Sequence, residues 1–248
     1  MTKAAAKPHY GYYSLYMFAA LSAVILVIGV LVTFLLWLLP GMIIVGFGFY
    51  FIISYVFSMQ FFKETESFKP PDFLELNGSE KVLDVGCGLG KTTIGIAKQL
   101  TTGKAIGIDV WSKVELPGNS LKNAYANAQV EGVQDKVEFQ TGNVLSIPFP
   151  DNSFDLVTSS SVINNLQGDS AKNEAFNEIF RVLRPRGRFL LIEPLRDLWG
   201  FLIFTLLGVW MLLPKDRWIA LLRKAGFTNL KYKCYNHLGV FLVEKPEK

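Results

Sequence analysis

The residues of this chain best suited to chemistry stand in Asp84-Val85-Gly86-Cys87-Gly88-Leu89-Gly90, an acid followed by three alternating glycines. The apolar run Lys81–Val85 has strand character, and a helical stretch over Thr92–Gln99 follows. Glycines at a strand-to-helix turn let a ligand come close to the backbone, and a helix start offers free amides. A phosphate loop of the G-x-x-x-x-G-K type would need glycine at position 85, where Val85 stands. A dinucleotide fingerprint would need glycine or alanine at position 91, where Lys91 stands. The pattern present, Asp-x-Gly-x-Gly-x-Gly, fits neither. A bare structural turn is the plain alternative, and three spaced glycines weigh against it.

Two further segments follow in order. Gly107-Ile108-Asp109-Val110 places a second acid 25 residues after Asp84, and Thr141-Gly142-Asn143-Val144 comes at the end of a third apolar run. With these, the chain resembles the class I S-adenosylmethionine-dependent methyltransferases, particularly the branch that includes quinone, sterol and arsenite methyltransferases. Pro150–Thr158, Glu178–Arg188 and Leu221–Phe227 extend the likeness over nearly all of residues 70 to 245. The resemblance implies S-adenosyl-L-methionine as cofactor and no metal. Asp84, Gly86, Cys87, Gly88 and Gly90 would line its methionine part, with Asp84 reaching the ammonium through water. Asp109 would take the ribose hydroxyls, a role for which a planar carboxylate suits two adjacent donors. The same spacing occurs in NAD enzymes, so that acid alone is weak. Val110 and Trp111 would flank the adenine, Trp111 over its face. Asn143, with Val144, would accept from the adenine amino group through its carbonyl oxygen. Ser159 and Ser160 would line the methionine part by their backbone.

Departures from the family bear on the acceptor. Asn164 and Asn165 stand where many relatives place histidines, so no histidine base is available there. No Asn-Pro-Pro-Tyr-like run is present, which weighs against methylation of nucleic-acid or protein nitrogens. Leu198–Leu213 forms 16 uncharged residues, within an insert of about 196–215 flanked by Arg196, Lys215 and Arg217. It reads as a membrane-dipping helix that roofs the site, with a buried core helix as the alternative. Glu193 is the candidate for touching substrate; no catalytic residue is assigned. Asp155, the arginines at 181, 184, 186 and 188, Cys87, Cys234, His9 and His237 all read as packing or surface residues rather than reacting groups.

Positioning these residues requires an α/β frame. Apolar runs at Lys81–Val85, Ala105–Val110, Val137–Thr141, Asp155–Thr158, Arg188–Glu193, Leu230–Cys234 and Val240–Glu244 predict seven strands. Helical stretches over Thr92–Gln99, Leu121–Glu131, Ser170–Leu183 and Trp218–Ala225 alternate with them. The expected fold is a Rossmann-like, doubly wound seven-stranded sheet with an antiparallel terminal hairpin.

The rest of the 248-residue chain is different in kind. Charges are absent from the 55 residues between Lys7 and Lys63, and from Lys63 onward the net charge is only +2. That balance argues against nucleic acid as a partner. Two apolar stretches, 14–39 and 42–62, are long enough to span a bilayer, with Pro40-Gly41 as the break between them. Tyr10, Tyr12, Tyr13 and Tyr16 suit an interface, and Lys3, Lys7 and Lys63 place both ends on the cytoplasmic side. Residues 1–63 are thus expected to be a two-span membrane anchor, and 64–248 the methyltransferase domain. The expected function is methyl transfer to a small lipophilic or membrane-embedded acceptor: lipid, quinone or isoprenoid ring, or hydrophobic thiol. The alternatives are an inactive membrane scaffold that keeps the cofactor fold and, third, a nucleotide-dependent oxidoreductase.

Overall fold

A computed structural model describes residues 7–11, 15–61, 65–197, 212–235 and 238–247. Seven strands form one mixed sheet: β1 (Lys81–Val85), β2 (Lys104–Asp109), β3 (Val137–Thr141), β4 (Phe154–Ser160), β5 (Leu183–Pro194), β6 (Thr228–Tyr235) and β7 (Leu238–Glu244). Their order across the sheet is β3-β2-β1-β4-β5-β7-β6. The first five run parallel, and β7 enters antiparallel between β5 and β6. The chain therefore reverses its direction of winding between β1 and β4, and in such sheets ligands sit outside the carboxyl ends at this point.

Alternation along the strands gives the sheet two apolar faces. Leu83 and Val85 of β1, Val157 of β4 and Phe189 of β5 point to one face. There they meet Phe176 of α5 (Gly168–Val182) and Trp218 of α6 (Lys215–Lys224). Val82, Leu156 and Leu190 point to the other face, against Ile94 of α3 (Lys91–Ala97) and Ala124 and Ala128 of α4 (Leu121–Val130). Small residues on α4 let it lie close to the sheet, and Ser120 caps its start by accepting from the Asn123 amide at 3.3 Å.

Before the sheet come α1 (Leu15–Leu35) and α2 (Leu38–Phe61), packed on one another. The break falls at Leu36-Trp37, not at the expected Pro40-Gly41: both amides donate to the Val32 carbonyl, at 3.1 and 3.0 Å. Pro40 instead occupies the first turn of α2, where a missing N–H leaves no bond unmade. The helices touch through small residues. A Cβ at Gly29 would stand 2.8 Å from the Val45 nitrogen, and one at Gly48 would stand 2.7 Å from Leu26. Outward side chains such as Phe34, Leu35 and Leu39 are mostly exposed. Among the described residues one helical segment, Leu38–Val56, is long and apolar enough to cross a membrane; the apolar part of α1, Ala19–Leu35, is shorter.

The expected insert of about 196–215 lies largely outside the described residues. Its feet are described: the Arg196 amide donates to the Leu213 carbonyl at 3.0 Å, and Leu195 bridges Leu213. The two feet thus meet just beyond the end of β5.

Phe176 is fully buried between Phe189 and Trp218, with ring centroids 5.9 and 6.4 Å away. Phe176→Ala is expected to cost about 3–5 kcal/mol of stability, read as a lowered urea midpoint of the near-ultraviolet circular dichroism signal.

Candidate functional site

At the end of β1 the chain turns sharply, with φ of 71° at Gly86, 53° at Gly88 and 85° at Gly90. The Gly86 and Cys87 amides both donate to the Ile108 carbonyl of β2, at 2.8 and 3.0 Å. A side chain at Gly86 would collide with Val162, and one at Gly90 would reach Phe139 at 2.9 Å. The turn thus needs glycine both for its backbone and for the closeness of its neighbours. Cys87 is buried inside it, and burial first, then the charges of Asp84 and Asp109, hold its thiol well above the ordinary range. Its buried thiol packs within the turn.

Asp109 at the end of β2 joins the parts of the site. Its Oδ2 accepts from the Gly88 amide at 2.8 Å, and its Oδ1 accepts from the Trp111 amide at 2.6 Å and from Asn119 Nδ2 at 3.0 Å. One carboxylate so ties the glycine turn to the loop that follows β2. Trp111, at φ 60°, swings its indole across the sheet edge and donates from Nε1 to Thr141 Oγ1 at 3.0 Å. Val110 beside it is 60% exposed at the mouth of the site. Asn143 is exposed beyond β3, but its Oδ1 already accepts from the Leu145 amide at 2.9 Å, leaving one lone pair for a ligand. Val144 is buried in the core beneath it, so its side chain does not face the site.

Asp84 lies one layer below the mouth. It is 1% exposed and accepts from Thr93 Oγ1 of α3 at 2.6 Å and Thr158 Oγ1 of β4 at 2.7 Å. These bonds weld β1 to its neighbours. Burial pushes its carboxyl up to about 6, with the two hydroxyls opposing. Ser159 is paired in register with Val85, and its buried Oγ has no partner among the described residues; Ser160 beyond it is half-buried. Glu193 is fully enclosed at the end of β5. Its Oε1 accepts from the amides of Val162, Ile163 and Asn164, at 3.1, 2.8 and 3.4 Å. The candidate for touching substrate is therefore walled in, bonded to the turn after β4.

Two contributors escaped the sequence reading. Asn119 is buried with its Oδ1 unpartnered among the described residues, and its signal was an asparagine in the lengthened loop after Asp109. Asn127, a polar residue on the buried face of α4, donates to the carbonyls of Leu89 at 3.0 Å and His9 at 2.9 Å. It also accepts from the His9 amide at 2.9 Å. Residues 8–11 accordingly run as a strap over the glycine turn. Tyr10, expected at a membrane interface, is 4% exposed and donates to Glu131 at 3.1 Å. Gly11 at φ 71° lies against Leu89 and Leu116.

Asp155 and Arg181, read as bland, stand away from this edge. Asp155 accepts from the Lys81 amide at the opposite end of the sheet and pairs with Arg184. Arg181 is bonded to Glu178, Asp151 and the Phe149 and Ile147 carbonyls. His237 lies outside the described residues.

The arrangement can hold a ligand that bears hydroxyls, an amino group and positive charge. Two acids stand on adjacent strands, and polar atoms of Asn119 and Ser159 without partners among the described residues flank the turn. Of the described residues, a Cβ at Gly88 would meet Leu116 alone, at 3.0 Å. These features fit S-adenosylmethionine.

Burial also pushes Glu193 up to about 8, with the three amides and the Lys172 charge opposing. Both carboxyls bind their proton more tightly folded than unfolded. The stability they lend is complete below about pH 4 and declines as pH rises through about 6 for Asp84 and 8 for Glu193. Glu193→Gln is expected to flatten the decline between pH 6 and 8, read as urea midpoints across that range. A decline of unchanged steepness would show that Glu193 does not titrate there. Asn127→Ala is expected to release the strap and weaken cofactor binding about tenfold, measured by calorimetry.

Comparison with known proteins agrees with this geometry. Residues 76–200 match the family described as a methyltransferase domain. An uncharacterised protein of Haemophilus influenzae is 32% identical over 179 residues, covering 65% of each chain. A demethylmenaquinone methyltransferase of Symbiobacterium thermophilum is 31% identical over 169 residues, covering 67% of this chain and 62% of its own. The chain spans less than two thirds of the length of either relative. The crystal structure of YcgJ from Bacillus subtilis superposes with a TM-score of 0.52 at 25% identity, over 65% of this chain and 67% of that one. With the 3-2-1-4-5-7-6 sheet, the glycine turn and the two strand-end acids already in place, the chain belongs to the class I S-adenosylmethionine-dependent methyltransferases.

Proposed function

We propose that the protein is a membrane-anchored methyltransferase acting on a small lipophilic acceptor, a quinone-type ring first among the candidates. The relative from Symbiobacterium is named for demethylmenaquinone, an apolar ring compound, which supports that choice. One observation carries the membrane part: both feet of the α1–α2 pair stand on the globular part, beside the cofactor turn. Residues 8–11 dock on α4 and Leu89, four residues before α1. Beyond α2, the Phe68 amide donates to the carbonyl of Lys91, the first residue of α3, at 3.1 Å. A helix pair with both feet on one domain has both ends on one side of a bilayer. Two spans would satisfy that constraint, and the lysines around them favour the cytoplasm as the shared side. Glycine-mediated contact between the helices is the packing that apolar surroundings favour, since lipid supplies no hydrophobic drive to association. The fold domain from residue 64, with the feet of its insert at about 196–215 meeting at the end of β5, would then meet lipid-dissolved acceptors at the surface.

S-adenosylmethionine supplies an electrophilic methyl group when bound. The residues of this chain bind and orient it. Asp109 offers its remaining acceptor capacity toward hydroxyls, Asn143 its second lone pair toward an amino group, and the indole of Trp111 covers that side. The turn after β4, carrying Asn164 and Asn165, closes the other side with no histidine to remove a proton. Much of the rate would come from holding acceptor and methyl in line and excluding water. An acceptor that is already nucleophilic, such as a quinol anion or a thiolate, suits a site of this kind.

The test is methyl transfer from labelled S-adenosylmethionine into a membrane-lipid extract by the full chain in lipid vesicles. Label is expected in an apolar product. Asp109→Ala is expected to weaken cofactor binding about 10–100-fold, in line with loss of charge-assisted hydrogen bonds, without changing recovery in the membrane fraction. Cofactor binding with no transfer to any extract component would make the protein a scaffold. Unchanged affinity in Asp109→Ala would overturn the assignment of the site.

A further inference from the structure

The turn between β4 and α5 is gripped at both ends by side chains shut away from water. Glu193 on β5 meets its start, where the amides of Val162, Ile163 and Asn164 all point at Oε1. Lys172 on α5, 5% exposed, meets its end, donating from Nζ to the carbonyls of Asn164, at 3.3 Å, and Leu166. Between them Ile163–Asn165 forms one turn of 3-10 helix. A helical turn presents unpaired amides at its start and unpaired carbonyls at its end. A carboxyl oxygen that accepts and an ammonium that donates match those two ends. Burying two ionisable side chains opposes stability, and an exposed turn could be satisfied by water instead. The pair is therefore poorly explained as a device for folding alone.

What the turn touches explains it better. Val162 packs directly on Gly86, so that a Cβ on that glycine would lie 2.7 Å from Val162 Cγ1. Ser161, at φ 57°, anchors the turn to β5 by donating to the Ile192 carbonyl at 2.8 Å. The turn is thus the wall of the site on the β4 side, opposite the loop after Asp109. Two buried polar atoms in this wall, Asn164 Oδ1 and Glu193 Oε2, have no partner among the described residues.

We propose that Glu193 and Lys172 are a pair of positioning residues that clamp the turn after β4 from its two ends, seating Val162 against the glycine turn. The wall presented to the methyl acceptor is then set by a carboxyl oxygen acting as an acceptor, not by proton transfer from Glu193. The inference rests on the cofactor reading of the glycine turn.

The full chain in lipid nanodiscs tests it through Glu193→Gln, Glu193→Ala and Lys172→Met. The readouts are amide hydrogen exchange at residues 162–166 and calorimetric affinity for S-adenosylmethionine, with methyl transfer to lipid extract as a third. Glutamine keeps an oxygen at the same place, so Glu193→Gln is expected to stay within about threefold of the parent in all three. Glu193→Ala and Lys172→Met are expected to speed exchange at 162–166 by about tenfold or more, leave residues 82–85 protected, and weaken cofactor binding. Should Glu193→Ala fail to fold, the other two variants decide. Unchanged exchange in Lys172→Met would overturn the clamp. So would loss of methyl transfer in Glu193→Gln with protection and affinity intact, since the carboxyl would then be reacting itself. A parent chain with a protected turn but no affinity for S-adenosylmethionine would sink the cofactor reading, and the positioning role with it.

Discussion

The Asp109 carboxylate is the joint on which the site depends. Three donors from two segments converge on it: the Gly88 amide of the glycine turn, and the Trp111 amide and Asn119 side chain of the loop after β2. Hydrogen bonds to an ionised acceptor are roughly twice as strong as neutral ones. Without this group the glycine turn and the loop after β2 would have no common anchor, and the indole would lose its lead-in. Asp84 on the adjacent strand works in the same way one layer deeper, through hydroxyls instead of amides. The neighbouring Asp109 charge adds to the burial that raises the Asp84 carboxyl. The two acids together make the end of the sheet a place that favours positive charge, a field suited to a sulfonium cofactor.

Much of this frame was legible in the residues. Lys81–Val85 and Val137–Thr141 begin and end where alternation and flanking turns said they would. The glycine spacing pointed to the turn because positive φ at alternate positions leaves few other residues possible. What was not legible arises from contacts between distant segments. Asn127 is an ordinary helix residue until residues 8–11 arrive from 118 positions away. Glu193 looked like a group at an open strand end, and only the fold shows three amides closing over it. Pro40 misled for a local reason: proline breaks a helix interior but is comfortable in a first turn, and sequence alone leaves the start of α2 free to move.

The apolar segments of the chain and the cofactor edge belong to one construction. The strap enters α1 from the glycine turn, the chain leaving α2 crosses the start of α3, and the two feet of the insert meet beyond the end of β5. Three routes toward apolar sequence thus leave the globular part at or next to the carboxyl ends of its strands. Under the proposed anchoring, a substrate dissolved in lipid would find the opening on the face nearest the bilayer, and a cofactor from water would reach it from the side of the loop after β2.

The strap also fixes an order of events. Its residues are made before any of the sheet, yet their partners on α4 are translated more than a hundred residues later. The helical hairpin is complete by then, while Pro8–Gly11 still has nothing to dock on. During synthesis the cofactor edge must therefore stay uncovered until α4 forms, although the strap itself is translated before every strand of the sheet.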